Sequence, residues 1–335
     1  MKLKLNLLNI STAVGLIAAC ILGFLFLGFV SVDTNAEYGV TFSRYYAQDE
    51  LGLNADDVLA EALDDLGIRR FRLGAYWKFL EPQPDEWNFG ELDRDIKAVG
   101  DRGGKVVLAV GEKLPHWPEC WTPDWWKNLP RDLQQPLTLK YIETVVRRYK
   151  DNPTIIAWQI ENEPHFSYGD CLVPDPFFIR QEVGLVRTLD PDRPVVTTDS
   201  GELSLWITFG TLVDKLGVST YRVVKMSNGW IFRYSFMPPY FYQRKAMLAK
   251  MFGVKNVYVS EFQMEPWSNI PLTETPIDEQ LKTMDIEQMQ SNFLFAEQMH
   301  LSPIDFWGME WWYWMKEKKN HPEFWEEAKS FYQRQ

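Results

Sequence analysis

From Tyr38 onward, short β-branched runs alternate eight times with longer segments of helical length. "YGVTFS" precedes "NADDVLAEALDDLGI", where Asn54 suits an N-cap and Val58, Leu59, Ala62, Leu63 and Leu66 form one apolar stripe. "RRFRLGAYW", "KVVLAVG", "TIIAWQI", "RPVVTTDS", "VSTYRVV", "VKNVYVSEF" and "PIDFWGMEWWYW" each head a further pair. After the fifth run the helical segment is "LSLWITFGTLVDKLG". Strands alternating with helices imply an α/β fold with parallel sheet and right-handed crossovers. Eight such pairs predict a closed (β/α)8 TIM barrel. A doubly wound sheet is the alternative, but "GVTFSRYYAQDELG" lacks the glycine-rich phosphate turn such a sheet carries after its first strand.

Ahead of the barrel, Lys2 and Lys4 precede an uncharged run from Leu7 to Val32, and Asp33 and Glu37 follow it. The run is long enough to span a bilayer, exceeds the apolar core of a cleaved signal peptide and ends without an A-x-A site. Basic residues before it place the N-terminus in the cytoplasm. The expectation is one N-terminal transmembrane signal anchor over residues 1–34, with residues 35–335 as a catalytic domain outside the cytoplasm; a cleaved signal is the alternative. A net charge of −11 and a pI near 5.0 argue against nucleic acid or an anionic membrane surface as partner. Cys120 and Cys171 lie in loop-like sequence and are candidates for a disulfide, while Cys20 falls in the apolar run. Four histidines and no Cys/His spacing of zinc type leave no metal or cofactor expected, and no obligate protein partner is evident.

Long connections follow strands, as at Gly111–Pro136 and Glu265–Pro276, and carry Trp117, Trp121, Trp125, Trp126 and Trp267. In a barrel such loops build the C-terminal face, where chemistry sits. Glu163 ends strand four and Glu261 ends strand seven, so both project over one mouth. Two carboxyls so placed suit glycosidic cleavage, one protonating the leaving oxygen and one attacking carbon or activating water. Solvated loop acids are the alternative, yet both acids end apolar strands, where an unpaired buried charge is costly.

"WQIENEP", Trp158–Pro164, resembles the strand-four motif of clan A glycoside hydrolases, and "VYVSEF" resembles the clan's strand-seven nucleophile motif. Within the clan the chain is most similar to glycoside hydrolase family 5. The resemblance implies a retaining double displacement on a carbohydrate substrate, with β-linked bonds, Glu163 as acid/base and Glu261 as nucleophile. It also implies that Asn162 contacts the sugar 2-hydroxyl, that Arg72 and Tyr221 support the nucleophile, and that a strand-eight tryptophan forms a sugar platform. Trp307, Trp311 and Trp312 are candidates, with Trp311 preferred as nearest the strand's end. Ser219 replaces the family's histidine before the strand-six tyrosine, and His116 takes a place related to the missing strand-three histidine. Glu161 shares strand parity with Glu163 and is read as a support; Glu265 is the rival nucleophile. Glu112, Asp199 and Glu202 are read as acids of the rim or of the layer supporting the site, and His165 either as a neighbour that tunes Glu163 or as an exposed loop histidine. Retention requires the two carboxyls to lie about 5–5.5 Å apart. Transglycosylation, or a non-catalytic carbohydrate-binding barrel, are the competing functions.

Overall fold

The computed structural model describes residues 2–171 and 175–334; the domain limits expected at residues 1 and 335 lie outside them. Eight strands close a parallel barrel: β1 (Tyr38–Phe42), β2 (Arg70–Gly74), β3 (Lys105–Val110), β4 (Ile155–Ile160), β5 (Val195–Ser200), β6 (Lys215–Thr220), β7 (Val257–Gln263) and β8 (Ile304–Trp307). Each pairs with its sequence neighbours, and β1 pairs with β8 to close the ring. Among the described residues the nine longer helices are α1 (Lys2–Phe26), α2 (Ala55–Asp64), α3 (Gly90–Asp101), α4 (Arg131–Tyr149), α5 (Pro176–Leu189), α6 (Pro239–Met251), α7 (Ile286–Gln298), α8 (Met309–Lys319) and α9 (Glu323–Tyr332). A hairpin, Val223–Lys225 with Ile231–Arg233, leaves the mouth after β6.

Local chemistry sets these boundaries. Asn54 caps α2 by accepting from Asp56 N at 3.0 Å, and the expected stripe of Val58, Leu59, Ala62 and Leu63 is buried. Strand period two splits β2: Phe71 and Leu73 join the core between strands and helices, while Arg70 and Arg72 make polar contacts across the ring. Those contacts are two buried ion pairs, Arg70–Asp305 and Arg72–Glu261, each at 2.7 Å.

Two expectations are corrected. The segment after β5 forms turns, not a helix. Trp206, Phe209 and Val213 mimic helical spacing, but Trp206 sits buried at φ +68°, its indole donating to Ser200 O at 2.8 Å. A left-handed, β-side-packed tryptophan cannot propagate a helix.

The transmembrane anchor is the second. Among the described residues no helix is long and apolar enough to cross a membrane, which overturns the single-pass anchor and the extracytoplasmic placement drawn from it. The uncharged run is not one helix: α1 stops at Phe26, short of Val32. Its last turn is docked on α6 instead. Phe26 packs on Phe241 with ring centroids 5.1 Å apart, Tyr240 Oη donates to Phe26 O at 3.0 Å, and Arg244 donates to the carbonyls of Phe24 and Leu27.

Candidate active site

β4 ends at Ile160 and the chain turns sharply. Glu161 and Glu163 both adopt positive φ, +56° and +43°, which non-glycine residues seldom do outside constrained sites. The turn breaks strand parity. Glu161 leaves Glu163's direction, and its carboxylate accepts the backbone N–H groups of Glu112 (2.8 Å) and Lys113 (2.6 Å). Gly111 is required beneath it, because a Cβ there would lie 2.4 Å from Glu161 Oε1. Burial, then the charge of Glu112, pushes the Glu161 carboxyl up to about 8. Glu182 on α5 is buried against it and sits well above the ordinary carboxyl range. Neither Glu182 oxygen has a hydrogen-bond partner among the described residues, and burial followed by repulsion from Glu161 and Glu112 favours its protonated form.

Glu261, at the end of β7, is 4% exposed and held at both oxygens. Arg72 Nη1 donates to Oε1 at 2.7 Å and Tyr221 Oη to Oε2 at 2.9 Å. The same guanidinium donates through Nη2 to Asn162 Oδ1 (2.6 Å) and through Nε to Gln159 Oε1 (2.7 Å). Thr198 also donates to Asn162 Oδ1, at 2.8 Å. Both donors reach the amide oxygen, so the amide nitrogen is the end free of these bonds.

Glu163 is buried, and its carboxyl rises to about 8. Loss of water is the largest cause, followed by repulsion from Glu261 and Glu119. The Ser219 hydroxyl donates to Glu163 Oε1 and Thr198 Oγ1 accepts from its N–H, so strands five and six both hold it. Ser219 thus stands where the histidine was missed and touches the acid directly.

Two residues that carried no sequence signal complete this side. Lys113, buried, pairs with Glu119 at 2.5 Å and reaches the Glu163 carbonyl at 3.4 Å. Burial lifts Glu119 to about 7 against the pull of Lys113. The expected disulfide Cys120–Cys171 is present and joins the β3 loop to the β4 loop.

His116 does reach the site, with its ring between Tyr46 and Trp307 at centroid distances of 4.8 and 4.1 Å. Burial lowers it to about 3, so the imidazole is neutral, and Nε2 has no hydrogen-bond partner. Trp311 does not reach it. It lies fully buried on α8, donating to Gln280 Oε1 at 2.8 Å and packing on Phe324. β8 ends at Trp307, four residues earlier than the aromatic run suggested, because Gly308 at φ +132° turns the chain into α8. A Cβ on Gly308 would strike Glu265. Trp307 is therefore the strand-eight aromatic at the mouth, its indole donating to Glu265 Oε1 at 2.7 Å. Glu265 also accepts from Tyr46, and burial lifts it to about 7. Beside His116, Glu310 accepts the Ser43 N–H at 2.6 Å and is pushed up to about 8 by burial. Asp199 and Glu202 face Ser204 and Tyr242, away from the pair.

The family model for glycoside hydrolase family 42, described as β-galactosidase, matches residues 54–176, well under half of the chain. A β-galactosidase of Halorubrum lacusprofundi is 28% identical over 120 residues, 30% of this chain and 17% of that protein. Mannan endo-1,4-β-mannosidase F of Aspergillus clavatus is 24% identical over 222 residues, 65% of this chain and 39% of that protein. The crystal structure of a β-galactosidase from Rahnella sp. R3 superposes with a TM-score of 0.56 at 12% identity, covering 84% of this chain and 52% of that one. At such identity the superposition establishes a shared (β/α)8 fold. The chain spans well under two thirds of the length of these curated relatives.

Proposed function

We propose that the chain is a retaining β-glycoside hydrolase in which Glu163 is the acid/base and Glu261 the nucleophile. One observation carries the reading: a carboxylate clamped by Arg72 and Tyr221 shares the mouth with a second carboxyl that keeps its proton near neutral pH. Environments that separate two carboxyls in this way separate acid from nucleophile. The named relatives, β-galactosidases and a mannan endo-β-mannosidase, support a β-linked sugar and make β-galactosides and β-mannosides the first substrates to test.

In the first step the Glu163 proton passes to the glycosidic oxygen as its bond to the anomeric carbon breaks. Glu261 attacks that carbon and forms a glycosyl ester. Arg72 and Tyr221 hold the carboxylate oriented until it reacts. In the second step Glu163, now ionised, takes a proton from water, whose oxygen displaces Glu261. Asn162, fixed through its oxygen, offers its amide N–H to the sugar 2-hydroxyl.

Glu261→Ala is expected to lose at least ~10⁴-fold in kcat, and azide is expected to restore turnover as a glycosyl azide of inverted configuration. Glu163→Ala is expected to slow poor leaving groups most. Wild-type rates in purified Glu261→Ala would end this assignment.

A further inference from the structure

Four aromatic side chains continue outward from the carboxylate clamp. Tyr221, which donates to Glu261, lies edge-on to Trp267 with centroids 5.2 Å apart. Trp267 neighbours Tyr168 at 6.4 Å, and Tyr168 neighbours Trp117 at 5.8 Å. They come from four connections, after β3, β4, β6 and β7, so the strip is assembled by the barrel rather than by one segment. Exposure rises along it: Glu261 is buried, Tyr221 and Trp267 are half-buried, Tyr168 is 42% exposed and Trp117 is 60% exposed.

The outer end is rigid. Trp117 lies three residues before Cys120 and Tyr168 three before Cys171, and these cysteines are bonded. Asp170 N donates to Pro118 O at 3.0 Å, and a Cβ on Gly169 would lie 2.7 Å from that same carbonyl. Exposed rings held in place offer flat apolar faces at low entropic cost, which suits pyranose rings. Direction follows from chemistry. A leaving group lies on the side of its proton donor, and Tyr168 stands on the loop that begins at Glu163.

We propose that Trp267, Tyr168 and Trp117 bind the leaving-group portion of a β-1,4-linked hexose chain, so that the preferred substrate is an oligo- or polysaccharide rather than a simple glycoside. This rests on the acid/base assignment of Glu163 for its direction. The test is binding, which requires no turnover. Titration calorimetry on the Glu163→Gln protein compares β-1,4-mannohexaose and β-1,4-galactotetraose with the methyl β-glycosides of the same sugars. At least one chain is expected to bind about 10-fold more tightly than its methyl glycoside. Adding Trp117→Ala or Tyr168→Ala, with folding checked by circular dichroism, is expected to weaken chain binding about 5-fold or more and to leave the methyl glycoside within about 2-fold. Equal affinity for chain and methyl glycoside, no binding of either chain, or losses shared equally by both ligands would each overturn the proposal. An active Glu261→Ala would instead defeat the chemistry while leaving these affinities as they are.

Discussion

Glu163 and Glu261 are the same residue type in one barrel mouth, and their neighbours give them the unlike environments that the proposed acid and nucleophile need. Glu261 is bracketed by a cation and a phenol; Glu163 faces two carboxylates and a hydroxyl. An acid that must begin protonated loses its proton as pH rises through its raised value, so kcat/KM is expected to fall on the alkaline side near pH 8. Glu119 is ionised in that range and repels Glu163, while Lys113 sits beside both. Glu119→Gln removes the repulsion and frees the ammonium, so the alkaline limb should move to lower pH. Ser219→Ala removes a donor to the ionised form and should move the limb the other way. A pH–rate series that leaves both limbs at the wild-type position would refute this account. Glu163, Glu261, Arg72, Asn162 and Tyr221 could be singled out in sequence because each lies within a barrel strand or within three residues of its C-terminal end. Lys113 and Glu119 were not, since only loop closure brings them beneath Glu163. Ser219 was visible only as a missing histidine.

At the scale of elements, the strands were readable throughout because β-branched runs bounded by turn residues have few other uses. The connections were less so. Trp206, Phe209 and Val213 have helical spacing yet pack from turns, and the aromatic run after β8 conceals a change from strand to helix at Gly308. The uncharged N-terminal run read as a span, whereas its helix ends at Phe26 and rests on α6. The β3 and β4 loops matter most to the proposed function, because they carry Lys113, Glu119, Trp117 and Tyr168. Cys120–Cys171 closes 51 residues between them. Cross-links of that span stabilise by about 2–4 kcal/mol, chiefly by restricting the unfolded chain. The Cys120→Ser/Cys171→Ser pair is therefore expected to lower the urea midpoint and to weaken the pH response assigned to Glu119. An unchanged midpoint would show that the loops are held by their packing alone.

Across the whole molecule, the same burial that prepares one acid leaves many carboxyls protonated. Glu161, Glu163 and Glu310 are held at about 8, and Glu119, Glu202 and Glu265 at about 7, against about 4.3 in an unfolded chain. In every case desolvation is the leading cause. A folded pKa above the unfolded one gives stability that is complete below the unfolded value and is lost as pH rises through the folded value. Between pH 6.5 and 8.5 the unfolded chain has already released these protons and the folded one is still releasing them. Each group that retains its proton lowers stability by about 1.4 kcal/mol per pH unit. Of the groups of opposite sign, Lys245, lowered to about 8 by burial, opposes the trend at the upper end of this interval and is outnumbered by the six carboxyls. His116, held neutral down to about 3, works only below about 6.5, and the surface aspartates Asp93 and Asp214, pulled down by their basic neighbours, work only in acid. Calorimetry should therefore give a lower Tm at pH 8.5 than at 6.5. Glu310→Gln replaces a protonated acid with a neutral isostere and should flatten that slope without moving Glu163's limb in the rate profile. A Tm that is level or rising across this interval would mean that the buried acids are already ionised and that the proton assigned to Glu163 is not held by burial.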